Sequence, residues 1–354
     1  MTPLLSPCSG LTVAVIGAGV AGSRCAARLH AAGASVVVVD KARGPGGRLA
    51  TRRATGLDAQ GHPQPVAWDH GCPGFEAQDP GLLDWLAVQA RQGRAERWQP
   101  RVAGQPLSDA SPWRWRGTPT QPSLCHALLD GVATQWQHAV SGLHRGPAGW
   151  TLDTALGTLG PFDAVLLALP PAQAAPLLGP HRADWARASA LVPMQPCWAW
   201  MGVSDAVPAL EEADWWELSS GPLERVMRQT RPASGGDLAD GAEGSGVAWV
   251  AHARAGWSRQ HLESPAESVA EALQAAVERA LGRPLAWHHR GVHRWRYAAP
   301  LLPAPGHLGG ARWDAGLRLG QCGDHLMGPG VEGAWRSGDA LAERMLSALQ
   351  AAPT

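Results

Sequence analysis

Residues 17–22, Gly-Ala-Gly-Val-Ala-Gly, set three glycines at the spacing that lets a chain turn tightly, approach an anion and then start a helix. Gly17 permits the turn, Gly19 removes the side chain where a pyrophosphate would come nearest, and Gly22 lets helix and strand pack closely. The first helical turn then offers unpaired N–H groups to negative charge. Asp40, at roughly the 20-residue spacing of the dinucleotide fingerprint, can accept hydrogen bonds from an adenosine ribose and would repel a 2′-phosphate. With the backbone of Ala18, Val20 and Ala21 and the neighbouring Lys41, these residues form a candidate seat for a dinucleotide.

Residues 41–53, KARGPGGRLATRR, add a segment that a simple NAD-binding dehydrogenase does not need. Gly46 and Gly47 let the backbone wrap against a second part of an extended dinucleotide, and Arg48 supplies a planar cationic fork for phosphate or for a flavin edge. That addition points to FAD. Near the other end, Gln321-Cys322-Gly323-Asp324 precedes Gly328-Pro329-Gly330-Val331-Glu332-Gly333-Ala334, so a second helix N-terminus follows a strand and an acid. Asp324 is the candidate partner of the ribityl or pyrophosphate side, and the positive end of the helix at Val331 would face the flavin N1 and O2, where charge collects on reduction.

These residues need elements to hold them. Residues 11–16 read as a strand, 18–30 as a helix stopped by Gly33, and 35–39 as a Val-rich strand covered on both faces, together one β-α-β unit. Residues 55–75 hold turn formers and no long periodic stretch, which predicts irregular chain beside the ligand. Helical spacing recurs over 80–92, 123–131, 265–281 and 331–349, the last with Ala334, Gly338, Leu341 and Met345 along a face that should pack on the nucleotide domain. Strand patterns fall at 150–154, 162–169, 198–203, 247–253 and 317–320, with 162–169 expected to rejoin the first sheet and 237–246 expected to be a polar loop. There is no internal repeat.

With 354 residues, two domains are expected. The assignment is 1–75, 139–190 and 301–354 for dinucleotide binding, interleaved with 76–138 and 191–300 for substrate. Thirty Lys+Arg balance thirty Asp+Glu, which removes the electrostatic case for a nucleic-acid partner. The longest apolar runs, such as 36–39 and 164–169, fall far short of the roughly 20 residues of a membrane span. Residues 1–10 carry no basic leader region, and the six cysteines form no C-x-x-C pair. Together these features lead to the expectation of a soluble cytoplasmic protein without a zinc site or disulfide framework. The 18 tryptophans, beside two Phe and one Tyr, look like codon bias and carry no functional weight.

The chain resembles bacterial renalase-like flavoproteins, within the wider flavin amine oxidase and protoporphyrinogen oxidase group. The resemblance runs through residues 13–22, 40–53 (DKARGPGGRLATRR), 68–71 (WDHG), 162–171 (FDAVLLALPP), 196–199, 249–262 (WVAHARAGWSRQHL), 293–297 (HRWRY) and 322–334. It implies an α/β fold like that of p-hydroxybenzoate hydroxylase, with non-covalent FAD along a Rossmann-type domain and a mixed-sheet α+β domain roofing the isoalloxazine. It further implies oxidation of a dihydronicotinamide-type hydride donor, with electrons passed to dioxygen to give hydrogen peroxide. Amine oxidation is the alternative, and a structural or sensing role for bound FAD is the third.

By this resemblance Gly17, Gly19, Gly22 and Asp40 match the adenosine and pyrophosphate end, Gly46, Gly47 and Arg48 the middle, and Val140 the strand backbone beside the adenine. Gly71 belongs to the motif beside the flavin. Gly323, Asp324, Val331 and Glu332 match the flavin end, and Trp295 and Tyr297 line the substrate side, where aromatic rings can stack a nicotinamide. Cys72-Pro73-Gly74-Phe75 and residues 117–122 depart from the family's usual sequence, so the substrate face is less constrained than the cofactor site. His70 tempts as a general base, yet hydride transfer from a dihydropyridine removes no proton from carbon, so stacking and positioning suffice and His70 is read first as a residue that holds the loop. Cys72 and Cys322 read as structural thiols. Neighbours such as His288 and His289 do not converge on one metal.

Overall fold

The computed structural model of the chain describes residues 10–57, 63–106, 111–229, 246–301 and 309–351. Strand β1 (Thr12–Ile16), helix α1 (Val20–Ala31) and strand β2 (Ser35–Val39) form the opening unit, with β1 and β2 parallel. Their Val-rich runs are buried on both faces, as a parallel sheet covered by helices requires. Gly33, at φ +91°, ends α1 by a turn in which the Ala34 N–H reaches the Leu29 carbonyl.

A hairpin, β3 (Arg52–Leu57) and β4 (Pro63–Trp68), follows where the sequence predicted irregular chain. Then come α2 (Pro80–Arg91), the antiparallel pair β5 (Ala95–Trp98) and β6 (Arg114–Gly117), α3 (Ser123–Leu128) and β7 (Ala133–Gln135). The expected boundary at 138/139 shifts here, because β7 pairs in parallel with β2 and so belongs to the first sheet. An antiparallel meander, β8 (Val140–Gly146), β9 (Gly149–Thr154) and β10 (Gly157–Phe162), leads into β11 (Ala164–Leu167), which rejoins β1 as expected.

Helices α4 (Pro171–Leu178) and α5 (Ala183–Ala190) carry the chain to the second sheet. That sheet is built from β12 (Met194–Ser204), β13 (Trp215–Glu217), β14 (Leu223–Gln229), β15 (Val247–Ala253) and β16 (Trp287–Pro300) in the order β13-β14-β15-β12-β16. Its five strands pair antiparallel, and the parallel element of the expected mixed sheet is an isolated bridge between Val102 and Trp215. Helices α6 (Ala255–Gln260) and α7 (Ala266–Leu281) lie between β15 and β16. The Leu and Val face of α7 packs with Trp198, Trp200 and Trp249 on one side of the sheet. The other side meets the hairpin, where Trp68 packs on Met201, Val203, Trp215 and Met227. Most of the predicted 237–246 loop lies outside the described residues.

The chain returns to the first sheet through β17 (Arg312–Asp314) and β18 (Leu319–Gln321), completing the order β17-β18-β11-β1-β2-β7, and ends in α8 (Gly330–Ala351). Helix α8 crosses α1 closely because Gly338 has no side chain: a Cβ there would lie 2.2 Å from the Ala21 carbonyl oxygen. Asp339 takes hydrogen bonds from Arg24 (3.0 Å) and Arg28 (2.6 Å) beside that crossing. Among the described residues no helix is long and apolar enough to cross a membrane.

Candidate active site

The glycine turn has the shape a dinucleotide needs. Gly17 sits at φ +108°, and a Cβ there would meet the Ala168 carbonyl oxygen at 2.5 Å. A Cβ on Gly22 would meet the Gly17 carbonyl oxygen at 1.9 Å, whereas one on Gly19 would point into open space. Gly19 is also the N-cap of α1 and makes no side-chain cap bond, which leaves the first-turn N–H groups free to face an anion. Ala18 and Ala21 are buried and Val20 half-buried, so only their backbone is offered to a phosphate.

Asp40 braces this turn. Its carboxylate accepts from the N–H of Ala18 at 2.7 Å and of Ala42 at 2.8 Å, and each oxygen keeps lone-pair capacity for a ribose. Lys41 beside it is exposed. The Gln137 and His138 N–H groups bond the carbonyls of Ala42 and Asp40, which brings the chain leading to Val140 against the end of β2. Gly46 and Gly47 cross the turn from above: the Gly46 N–H donates to the Ala18 carbonyl at 2.9 Å, and a Cβ on Gly47 would lie 3.2 Å from the Gly19 Cα. These positive-φ glycines let two loops meet backbone to backbone.

Arg48 and Asp324, assigned separately from sequence, are bonded to each other. Two parallel hydrogen bonds of 2.7 Å join the guanidinium to the carboxylate, which is 1% exposed, and Arg48 also donates to the Ala298 carbonyl at 3.1 Å. The Gly330 N–H reaches the same carboxylate at 3.3 Å. The pair thus ties the glycine-rich loop, the strand β16 and the start of α8 at one point. Gly71 passes so close to the Arg48 carbonyl oxygen that a Cβ would lie 2.0 Å from it, and Gly323, at φ +154°, donates to the Ser337 hydroxyl at 2.8 Å. Glu332 faces elsewhere: its carboxylate accepts from the Gln78 and Asp79 N–H groups at 2.5 and 2.9 Å, just ahead of α2, while Val331 packs with the cluster around Trp335.

Alternation along the regularly paired part of β16 puts His289, Gly291, His293 and Trp295 on one face, while Tyr297 falls where the register with β12 shifts. The His70 ring stacks on Trp295 with centroids 4.9 Å apart and meets His293 edge-on at 4.7 Å. The His70 carbonyl accepts from Trp295 Nε1 at 3.2 Å and pairs with His252 Nε2 at 3.1 Å. Burial, with the His293 and Arg52 charges adding to it, pushes the His70 pKa down to about 3, and burial takes His252 to about 4. Both rings are therefore neutral near pH 7. Such an imidazole is a weak base and a good flat wall. Asp69, one residue earlier, is held by Thr51 and by the Gln121 N–H, and lines a cleft with Thr120, Arg228 and Gln229.

Sequence reasoning missed His252 and His293 in this wall, although the period-two pattern of HRWRY contained the signal for His293. It also missed the contact of Cys25 with Cys322, a hydrogen bond that together with burial holds the Cys25 thiol well above its usual range. His288 and His289 diverge: His288 bonds Asp205 at 2.6 Å and His289 stacks on Trp68.

A parallel sheet whose glycine turn leaves room for a pyrophosphate, crossed by a second glycine loop and faced by an aromatic wall on an antiparallel sheet, defines a two-domain flavin oxidoreductase. Comparison with known proteins agrees: residues 15–86 match the NAD(P)-binding Rossmann-like domain, and residues 116–346 match the flavin containing amine oxidoreductase model. The chain belongs to the flavin-containing amine oxidoreductase family and is an FAD-dependent enzyme. It is similar to a tRNA 5-methylaminomethyl-2-thiouridine biosynthesis bifunctional protein of Magnetococcus marinus, 30% identical over 207 residues. That match covers 48% of this chain and 31% of the other, so it spans about a third of the relative's length.

Among solved structures, a protein from Exiguobacterium sp. 255-15 assigned as a protoporphyrinogen oxidase aligns with TM-score 0.70 at 12% identity, and cyclohexylamine oxidase from Brevibacterium oxydans with TM-score 0.70 at 14%. Each alignment covers 96% of this chain and 99% of the other. A redesigned double mutant of putrescine oxidase aligns with TM-score 0.57 at 15% identity, covering 95% and 99%. These likenesses show the fold.

Proposed function

We propose that this enzyme takes a hydride from a reduced nicotinamide-type donor, with FAD held non-covalently along the glycine turns and dioxygen as the final acceptor, giving hydrogen peroxide. The observation that carries this reading is the wall of His70, His293 and Trp295: flat, uncharged rings of the kind that stack a neutral dihydropyridine. Bound FAD supplies the two-electron acceptor. The chain's own part is to orient the donor ring against Trp295 and Tyr297, to exclude water with the buried His70, and to hold the loops of the cradle through Arg48 and Asp324.

Amine oxidation is the second reading, supported by membership of a family named for amines. The tRNA-modifying relative does not extend to an RNA substrate here, because basic and acidic residues balance at thirty each. A reducing cytoplasm suits the five described cysteines, all of them unbridged. The test is anaerobic mixing of FAD-loaded protein with dihydronicotinamide isomers and, separately, with primary amines, following the oxidised flavin band. Rapid bleaching by the dihydronicotinamides alone supports the proposal; bleaching by amines alone replaces it with the second reading.

A further inference from the structure

Arg52 opens β3 opposite Trp68, and β3 lies against β16. Its charge bears on three imidazoles of the same face, His70, His289 and His293. Nearby guanidiniums are matched: Arg48 with Asp324, Arg225 with Glu224, and Arg294 and Arg296 with Glu263. Among the described residues no carboxylate pairs with Arg52, and its side chain is exposed. Beside it the stripe on β16 has a gap, because Gly291 stands between His289 and His293, and a Cβ there would find only His289 Nε2, at 3.8 Å. A cation facing neutral rings and an open slot lacks an anion.

We propose that Arg52 anchors an anionic group of the donor, a phosphate or a carboxylate, in the slot beside Gly291, and so selects a nucleotide over a bare ring. This rests on the nicotinamide reading and names the form of donor. A guanidinium presents two parallel N–H donors that match either anion, and neutral His289 and His293 can each add one N–H. Spacing along the strand fits. From Trp295 to His293 is about 7 Å and to Gly291 about 13 Å at roughly 3.3 Å per residue. A ring stacked at Trp295 therefore leaves room for one sugar before the slot. The same charge disfavours a protonated amine on this face.

The first arm of the test compares anaerobic flavin reduction by dihydronicotinamide mononucleotide and by the riboside, which lacks the phosphate. The wild type should bind the mononucleotide at least about tenfold more tightly, Arg52→Gln should bring that ratio close to one, and Arg53→Gln, on the opposite face of β3, should preserve it. The second arm needs no turnover: calorimetric titration of FAD-loaded wild type and Arg52→Gln with inorganic phosphate and with acetate. Heat of binding in the wild type that disappears in Arg52→Gln supports the anchor, and the anion that gives it identifies the group. If no dihydronicotinamide bleaches the flavin, the nicotinamide reading fails and the calorimetry alone decides the anchor. Equal binding by both proteins, or none by either, overturns it, as does a mononucleotide preference that survives in a folded Arg52→Gln.

Discussion

Arg48 and Asp324 should behave as an asymmetric buried pair. Asp324 is 1% exposed, while about a third of the Arg48 side chain reaches water. Removing the carboxylate with Asp324→Asn leaves a cation that water can partly solvate, so we expect a loss of about 2–3 kcal/mol, below the ~3–5 kcal/mol of a fully buried pair. Removing the cation with Arg48→Met strands a carboxylate inside the protein, and the loss should reach the upper part of that range. At roughly 2 °C per kcal/mol for a chain of this size, the midpoints should fall by about 4–6 °C and about 8–10 °C respectively. The measurement is thermal and urea unfolding of flavin-free protein, so that mass action by FAD does not enter. The double variant should show a coupling of about 2 kcal/mol. Equal losses under about 1 kcal/mol from the two single variants, without coupling, would refute the buried-clamp reasoning.

Gly19→Ala should fold with a midpoint near wild type and retain less FAD, because its Cβ enters only the space left for the pyrophosphate; Gly22→Ala should unfold or aggregate, because its Cβ would lie 1.9 Å from the Gly17 carbonyl oxygen. Glu332→Gln should lose about 1 kcal/mol through its bonds to the Gln78 and Asp79 N–H groups, with FAD affinity changed less than about twofold. Stability should fall on acidification: His70 and His252 have folded pKa values of about 3 and about 4, below the usual value near 6.5. Below pH 6.5 the unfolded chain therefore binds protons that the folded chain refuses, at a cost of roughly 2 kcal/mol for each residue by pH 5 and nothing above pH 7.5. Urea midpoints at pH 7.5 and pH 5 should show this slope reduced in His70→Asn.

The opening unit was legible in sequence because its signals are local: a Val run, three glycines at fixed spacing and an acid at the strand end. β11 was legible for the same reason, as a short apolar block closed by Pro170 and Pro171. The β3–β4 hairpin was not, since Pro63, Pro65 and Gly56 read as turn formers and its strands are defined by pairing with each other and packing on the second sheet. β7 is three residues long, too short for any period, and only its pairing with β2 places it. Arg48 and Asp324 were both picked out, but their bond joins distant parts of the chain and no motif records it. Glu332 stands in the first turn of α8, where the motif puts it, but its carboxylate reaches across to the chain ahead of α2, a contact that no motif records.

A flat neutral ring should bind against Trp295 and His70, over the cofactor seat. A crystal structure of the FAD-loaded protein soaked with oxidised nicotinamide mononucleotide addresses it most directly. The expected result is FAD along Gly17–Gly22 and Gly46–Arg48, with the nicotinamide ring stacked on the wall of His70, His293 and Trp295. A nucleotide bound away from that wall, or a wall that stays bare at saturating ligand, would contradict the account.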